Sequence, residues 1–453
     1  MKDPVEPRSK RTGAFLRSLA VDRTPLKISA DYRRIWWTEL ISQIGTQITV
    51  VAVFYQVFKL TDSAAMVGLV GLVQFVPLTL ATVFFGPMID RLDRRWILLT
   101  TQLGFVGTSS LLLAGAAMGR PPLVLVYTAA GLAAGLSGIA SPTRSSIVPN
   151  LIDVELLSSA VALNQLMWNA AMVAGPALGG VIIARFGLTW AYAVDVASFA
   201  GPLYATWRLS PQRPKAGDAA SRSGIAAIRE AFAFVKGRRV LQSTFVVDLV
   251  AMIFGLPRAL FPILAVTQFH SGAEIVGAMF SAIAVGAVVG AGTAGWVRRV
   301  RRHGLAVLIA VGAWGTAIAL FGFSGNLPLA FLLLAIAGAS DVISAVFRGT
   351  ILQATVTDAV RGRLSAIHIL VVTGGPRLGD VEAGLIAAAF SPTISVVSGG
   401  LACVAGVFFV ALRYPELAAY VSPEGAQAET TAAGDVATDA DAPDVPARGS
   451  AAD

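Results

Sequence analysis

The sequence predicts an all-α membrane protein of twelve transmembrane helices in two six-helix halves. Three observations carry that prediction. Apolar runs of about twenty residues recur from residue 35 to residue 412, twelve in all, and a hydrocarbon core about 30 Å thick needs about that many residues at 1.5 Å of rise each. Only 14% of the 453 residues are charged, 55% are hydrophobic and the mean hydropathy is +0.70, whereas a soluble domain carries about 25% charge. The 45 glycines suit helices that approach one another closely in lipid.

Residues 1–34 are basic and polar and form an N-terminal cytoplasmic segment. No cleavable signal peptide is read there, because the first apolar run is too long and lacks a small-residue cleavage site. Runs at 35–58, 64–89 and 97–118 open the N-terminal six-helix half, residues 35–208. A cytoplasmic linker, 209–239, is rich in Pro, Gly, Ser and charge. Within it Ile225, Ile228, Ala231, Phe232 and Val235 fall at helical spacing and predict an amphipathic helix on the membrane surface. The C-terminal half spans 240–412. Residues 413–453 hold many Ala, Glu and Asp and almost no large apolar residue beyond Val421, which predicts a disordered cytoplasmic tail.

With the termini placed inside, 30 of the 35 Lys and Arg residues fall on inner segments. The outer loops hold only Lys59, Arg120 and Arg185, and Arg258 and Arg377 lie within spans. This imbalance puts both termini in the cytoplasm of a multi-pass inner-membrane protein. The net charge of +8 therefore reflects topology, and no nucleic-acid partner is expected. Cys403 is the only cysteine, so no intramolecular disulfide or cysteine metal site is possible. His270, His303 and His368 are too scattered for a metal cluster, and there is no Walker motif for ATP drive. No span carries a His/Asp or Ser/His arrangement for catalysis, so neither an enzyme nor a cofactor is expected.

The halves share a weak repeat offset by 204 residues. SPTRSSIVPNLID around Arg144 parallels SAVFRGTILQATVTD around Arg348, each at the inner end of the fourth span of its half. Basic clusters also recur after the second span of each half, at 90–95 and 298–302. Two repeated six-span halves are typical of secondary transporters.

The segment GPMIDRLDRR, from Gly86 to Arg95, resembles the signature of the major facilitator superfamily through Gly86, Asp90, Arg91, Arg94 and Arg95. Asp93 stands where that family usually has glycine. The resemblance implies the major facilitator fold and a cytoplasmic gate of an acid and bases at helix ends, to which Arg144 is added. Ordinary inner-face charge is the competing reading. VAGPALGG resembles a helix-packing motif of drug/proton antiporters, with Gly175, Pro176, Gly179 and Gly180 in place and Ala171 at the leading glycine position. Proline bends a helix and glycine lets another approach, although generic packing would use the same residues.

The fourth-span arginine of many drug antiporters is absent, and Gly131 occupies its position. The stretch around Arg144, together with GGPRLGDVEAG from Gly374 to Gly384, is similar to the enterobactin exporter branch. The resemblance covers about residues 30–412. It implies a monomeric, proton-coupled exporter of small amphipathic molecules, siderophores or xenobiotics, with the substrate, protons and the lipid bilayer as partners. The alternatives are an importer of the same fold and a non-transporting membrane scaffold or sensor.

Ionisable residues inside spans are costly and mark pathways or partners. Glu39, Gln43 and Gln47 recur at i, i+4 and i+8 and predict a polar substrate pathway along the first span. Acids Glu39, Asp195, Asp248, Asp341, Asp380 and Glu382 outnumber bases Arg258, Arg348 and Arg377. The bases are candidate buried charge partners, and Glu382, Asp380, Asp248 and Asp341 are candidates for proton coupling. The i, i+3 spacing of Arg377 and Asp380 predicts a pair in the eleventh span. Glu382 then either carries the proton or bonds to a neighbouring helix, and Asp195 either faces a cavity or a partner or makes a helix–helix hydrogen bond.

Overall fold

Within lipid an apolar run satisfies its backbone only through its own hydrogen bonds, so each folds as an α-helix. The computed structural model describes residues 22–89, 91–213, 225–355 and 358–421. Its spans are α1 (Ala30–Thr61), α2 (Ala64–Ile89), α3 (Arg94–Ala117), α4 (Leu123–Leu151), α5 (Leu157–Phe186) and α6 (Leu188–Ser198 continued by Ala200–Arg208). The second half holds α7 (Arg239–Phe254 continued by Phe261–Thr267), α8 (Ala273–Thr293), α9 (His303–Phe323), α10 (Leu327–Thr355), α11 (Asp358–Ala389) and α12 (Pro392–Arg413). Among the described residues ten helices are long and apolar enough to cross a membrane. The other two of the twelve are α6, interrupted at Phe199, and α11, which carries Arg377, Asp380 and Glu382.

Helix ends follow from local chemistry. α1 begins five residues before the apolar run, because the Ser29 hydroxyl accepts the Tyr32 N–H at 3.2 Å as its N-cap. Tyr32, assigned by sequence to the N-terminal segment, thus belongs to the first span. α7 is not continuous. It stops at Gly255, and Pro257 both lacks a donor and disfavours helix before it. The break frees the Gly255 carbonyl, and the Trp314 indole of α9 donates to it at 2.7 Å. Arg258 then opens the short 3₁₀ turn Arg258–Leu260.

An even number of spans puts both termini on one face of the membrane, here termed the terminal face. The halves meet along two seams, α2 on α11 and α5 on α8. A methyl on Gly68 would stand 2.5 Å from the Asp380 carbonyl oxygen and 2.9 Å from the Gly384 Cα. One on Gly277 would strike the Pro176 carbonyl and lie 2.9 Å from the Gly180 Cα. Only glycine permits such approach. Between these helices Ser281 Oγ donates to the Val173 carbonyl at 2.7 Å, and Phe54 lies 6.1 Å from Phe280 across the halves. All these contacts lie in the middle or on the side away from the termini.

Clusters near the terminal face belong to one half each. Tyr32, Trp36, Ile152, Ala160, Leu163 and Met167 pack within the first half. In the second, Val235 and Leu241 pack with Phe245, Leu352 and Val371. Val235 is the penultimate residue of the helix Ile225–Lys236, which packs on α7, α10 and α11 at this end. The expected tail lies outside the described residues from 422 onward, as does Asp90.

Candidate functional site

The first half builds its polar centre on α1 and α4. Glu39 is buried, and its Oε1 accepts from Arg144 Nη2 at 2.8 Å and from Gln43 Nε2 at 3.0 Å. Helical periodicity puts Tyr32, Trp36, Glu39 and Gln43 on one face. A cavity of about 170 Å³ opens there, lined by Trp36, Glu39, Gln43, Arg144, Asn164 and Trp168 among others. The Arg144 side chain keeps 27% of its surface, so one buried acid holds a cation that water reaches. The Tyr32 hydroxyl sits 3.0 Å from the Ala160 carbonyl and 3.1 Å from Asn164 Oδ1, tying α1 to α5 at the cavity wall.

Sequence reasoning missed Tyr32 and Asn164. The signals available were a tyrosine seven residues before Glu39 and an asparagine four before Trp168. It also treated Arg144 as a gate residue and left Glu39 without a partner. Gln47 departs from the expected stripe. It lies against α5, where a methyl on Gly175 would overlap its Cβ, and it does not line the cavity with Glu39 and Gln43.

The second half repeats the arrangement with one addition. Arg348 of α10 meets Asp248 of α7 at 2.9 Å, and both are almost fully buried. Asp341, two turns earlier on α10, lies 3.9 Å from the same Arg348 Nη2. Helical side chains lean toward the N-terminus, so the long arginine reaches back to an acid seven residues before it.

The pair expected between Arg377 and Asp380 is not formed. Asp380 Oδ2 takes Arg258 Nη2 at 3.2 Å, and Asp380 Oδ1 accepts the Ala259 N–H at 3.2 Å. Arg377 instead donates from Nη1 to the Thr373 carbonyl four residues back. The same N-terminal lean explains both: it carries Arg377 away from Asp380, and base-before-acid is the weaker order on a helix. The break in α7 supplies the competing cation and a free N–H.

Two span acids have no base among the described residues. Asp195 Oδ2 accepts the hydroxyls of Thr49 and Ser109 at 2.7 Å each, binding α6 to α1 and α3. Glu382 is half-buried and makes no hydrogen bond or ion pair among the described residues.

At the terminal face, Gly86 is half-buried and Arg91 exposed. Asp93 is a cap: its Oδ1 accepts the Arg95 N–H at 3.0 Å and the Gln212 N–H at 2.9 Å. The residue that departs from the family glycine thereby starts α3 and anchors the linker after α6. Arg94 is buried near the Ser146 carbonyl of α4, and Arg95 Nη2 donates to the Trp207 carbonyl at 2.6 Å. Gly175 and Gly179 face α1, whereas Pro176 and Gly180 face Gly277 of α8.

Comparison with known proteins gives a consistent picture. The profile of the transmembrane secretion effector family matches residues 22–439. The enterobactin exporter EntS of Citrobacter koseri is 27% identical over 415 residues, covering 88% of this chain and 95% of that protein. The enterobactin exporter EntS of Salmonella typhimurium is 26% identical over 392 residues, covering 84% and 91%. Among solved structures, a bacterial homologue of the iron transporter ferroportin in an inward-facing state aligns with TM-score 0.63 at 14% identity, over 86% of this chain and 99% of that one. A nucleoside transporter aligns with TM-score 0.68 at 12% identity, over 85% and 99%.

Proposed function

The chain belongs to the transmembrane secretion effector family of the major facilitator superfamily, and from that premise we propose that it is a proton-driven exporter of small amphipathic, siderophore-like molecules. The observation that carries the reading is the cavity at Glu39 and Arg144, lined by residues of the first half alone toward the end of that half that bears the terminus. Trp36 and Trp168 offer aromatic walls, and Arg144 offers a cation already oriented by Glu39. A ligand with phenolic or acidic groups on an apolar frame matches both. The two relatives of the comparison are named enterobactin exporters, which supports a siderophore-like substrate.

The distribution of Lys and Arg supports a cytoplasmic terminal face, which makes this a state loaded from the cytoplasm. Alternation then requires the glycine seams to open and the terminal face to close. Arg91, Arg94, Arg95 and Gly86, with Asp90, are the candidate closing contacts, and the chain is taken to act as a monomer. Coupling falls to a span acid that no arginine holds at close range, and Asp195, which accepts hydroxyls of Thr49 and Ser109, serves instead as a tie between helices. Asp380 and Asp248 are each held by an arginine at close range, which leaves Asp341 and Glu382 as the stronger candidates.

Everted membrane vesicles test the reading. Vesicles containing the protein are expected to accumulate enterobactin when their interior is acid, and to lose that accumulation when a protonophore is added. Absence of gradient-driven accumulation, with the protein present at normal abundance, would reject proton-driven export.

A further inference from the structure

The ends of α3 and α6 at the terminal face carry a patch that the transport site does not use. α3 packs on α4 and α6, and α6 on α1, α3 and α5, so neither forms a seam between the halves. Along α3, Trp96, Thr100, Leu103, Gly107 and Leu111 are all exposed, a stripe at helical spacing that faces lipid. Toward the terminal face the stripe ends among three large rings. Trp96 of α3 and Tyr204 and Trp207 of α6 each keep more than half of their surface, at the level where amphipathic rings meet lipid headgroups.

Two arginines lie over these rings. Arg208 Cζ stands 5.6 Å from the centre of the Tyr204 ring and 5.6 Å from that of Trp207, and Arg95 Cζ stands 6.0 Å from that of Trp96. Arg95 Nη2 also donates to the Trp207 carbonyl, which brings it beside a residue that Arg208 stacks on. The junction is fixed from within. Gln102 Nε2 donates to Thr206 Oγ1 at 3.1 Å, and Phe105 stacks on Phe199 with ring centres 5.5 Å apart. Neither arginine makes an ion pair among the described residues. Arg95 Nε has no acceptor, and Arg208 makes no hydrogen bond among them. At this junction Arg91, Arg94, Arg95 and Arg208 outnumber Asp90 and Asp93, and Asp93 Oδ1 is already taken by the Arg95 and Gln212 N–H groups. Stacking on a ring leaves the edge of a guanidinium free to donate, and its fork fits phosphate oxygens.

We propose that this junction binds an anionic phospholipid of the leaflet at the terminal face, its phosphate held between Arg95 and Arg208 and an acyl chain lying along the α3 stripe. The net positive charge favours an anionic headgroup over one that brings its own ammonium. A free phosphate would leave the rings and the stripe uncovered, whereas a lipid covers both. The bound lipid spans the start of α3 and the end of α6, and so braces the loop that Asp93 ties to the linker. The site stands on its own geometry and is independent of the coupling ion.

Native mass spectrometry of the full chain tests this, after equilibration in neutral detergent with phosphatidylglycerol or phosphatidylcholine. The parent protein is expected to retain phosphatidylglycerol in preference. That preference should fall about fivefold for each arginine removed, first in Arg208→Gln and again when Arg95→Gln is added. Arg208→Gln suffices if the double variant fails to fold, since the Arg208 side chain is exposed and holds no other part of the chain by hydrogen bonds. Arg120→Gln, in an outer loop, should keep the full preference. Equal retention of the two lipids by the parent, or an unchanged preference in Arg208→Gln, would overturn the proposal. Thermal unfolding in detergent separates lipid from ion: phosphatidylglycerol is expected to raise the midpoint and inorganic phosphate to leave it in place. Equal protection by both would reduce the site to one for a free anion and overturn the lipid assignment.

Discussion

Arg144 and Arg348 occupy the same place in the two halves, 204 residues apart, and each is held by an acid from the first helix of its half. Their surroundings differ. Arg144 keeps 27% of its side-chain surface against a cavity, whereas Arg348 keeps 4% and answers to two acids. A third pair, Arg239 with Glu416 at 2.6 Å, lies exposed beside the terminal face. One interaction thus occurs in dry, half-wet and wet settings. Its worth follows the setting, because desolvation sets both the strength of a pair and the penalty of breaking it.

The largest effect is expected where the pair is driest. Arg348→Met would take the arginine from buried Asp248 and from partly exposed Asp341 beside it, a loss of about 3–5 kcal/mol for breaking a buried pair. Thermal unfolding of the purified protein should show it, with a larger fall than Arg144→Met. Equal falls would erase the contrast between the halves. Next comes Glu39→Gln, which leaves Arg144 in place but no longer held by a carboxylate. The charged hydrogen bond is worth about 1.5–3 kcal/mol, so gradient-driven transport in the vesicle assay should drop by about tenfold or more at matched abundance.

A smaller change separates the two glutamines of α1. Gln43→Leu should cost about 1 kcal/mol through one neutral hydrogen bond and weaken transport several-fold, while Gln47→Leu acts on packing against α5. Single-cysteine variants sharpen this: a thiol at position 43 should react with a water-soluble reagent and one at position 47 should not. Reaction at both would return Gln47 to the pathway. The smallest effect belongs to the exposed pair. The hydrogen bond from Arg239, ahead of a contact to its own backbone, holds the Glu416 carboxyl below its ordinary value. A lowered folded value stabilises above the ordinary carboxylate range and is lost as pH falls through the folded one. Glu416→Gln should therefore leave unfolding at neutral pH nearly unchanged, and any difference from the parent should fade in acid.

The twelve spans were legible because lipid allows a chain only one economical local solution, and the apolar runs state it directly. So was the internal repeat, which pointed to Arg144 and Arg348 before any geometry was seen. The break in α7 is marked in the sequence by Gly255 and Pro257, but a count of apolar runs passes over it, because an apolar window averages over two such residues. Asp93 was read as a departure from a motif. As a cap it obeys a local rule that the family comparison obscured, since Asp before a helix start is an ordinary N-cap.

Charge content, periodicity and the repeat come from the order of residues along one chain, and these alone determined the fold class and which ionisable groups sit in lipid. The partner of each group was decided only by tertiary structure. Asp380 chose Arg258 over Arg377, Glu39 met Arg144 from 105 positions away, and Asp341 came to share Arg348. Spacing on a helix says which side chains share a face, but an ion pair also depends on side-chain lean, a broken neighbouring helix and how much water remains. Those are properties of packed helices, and no single span contains them.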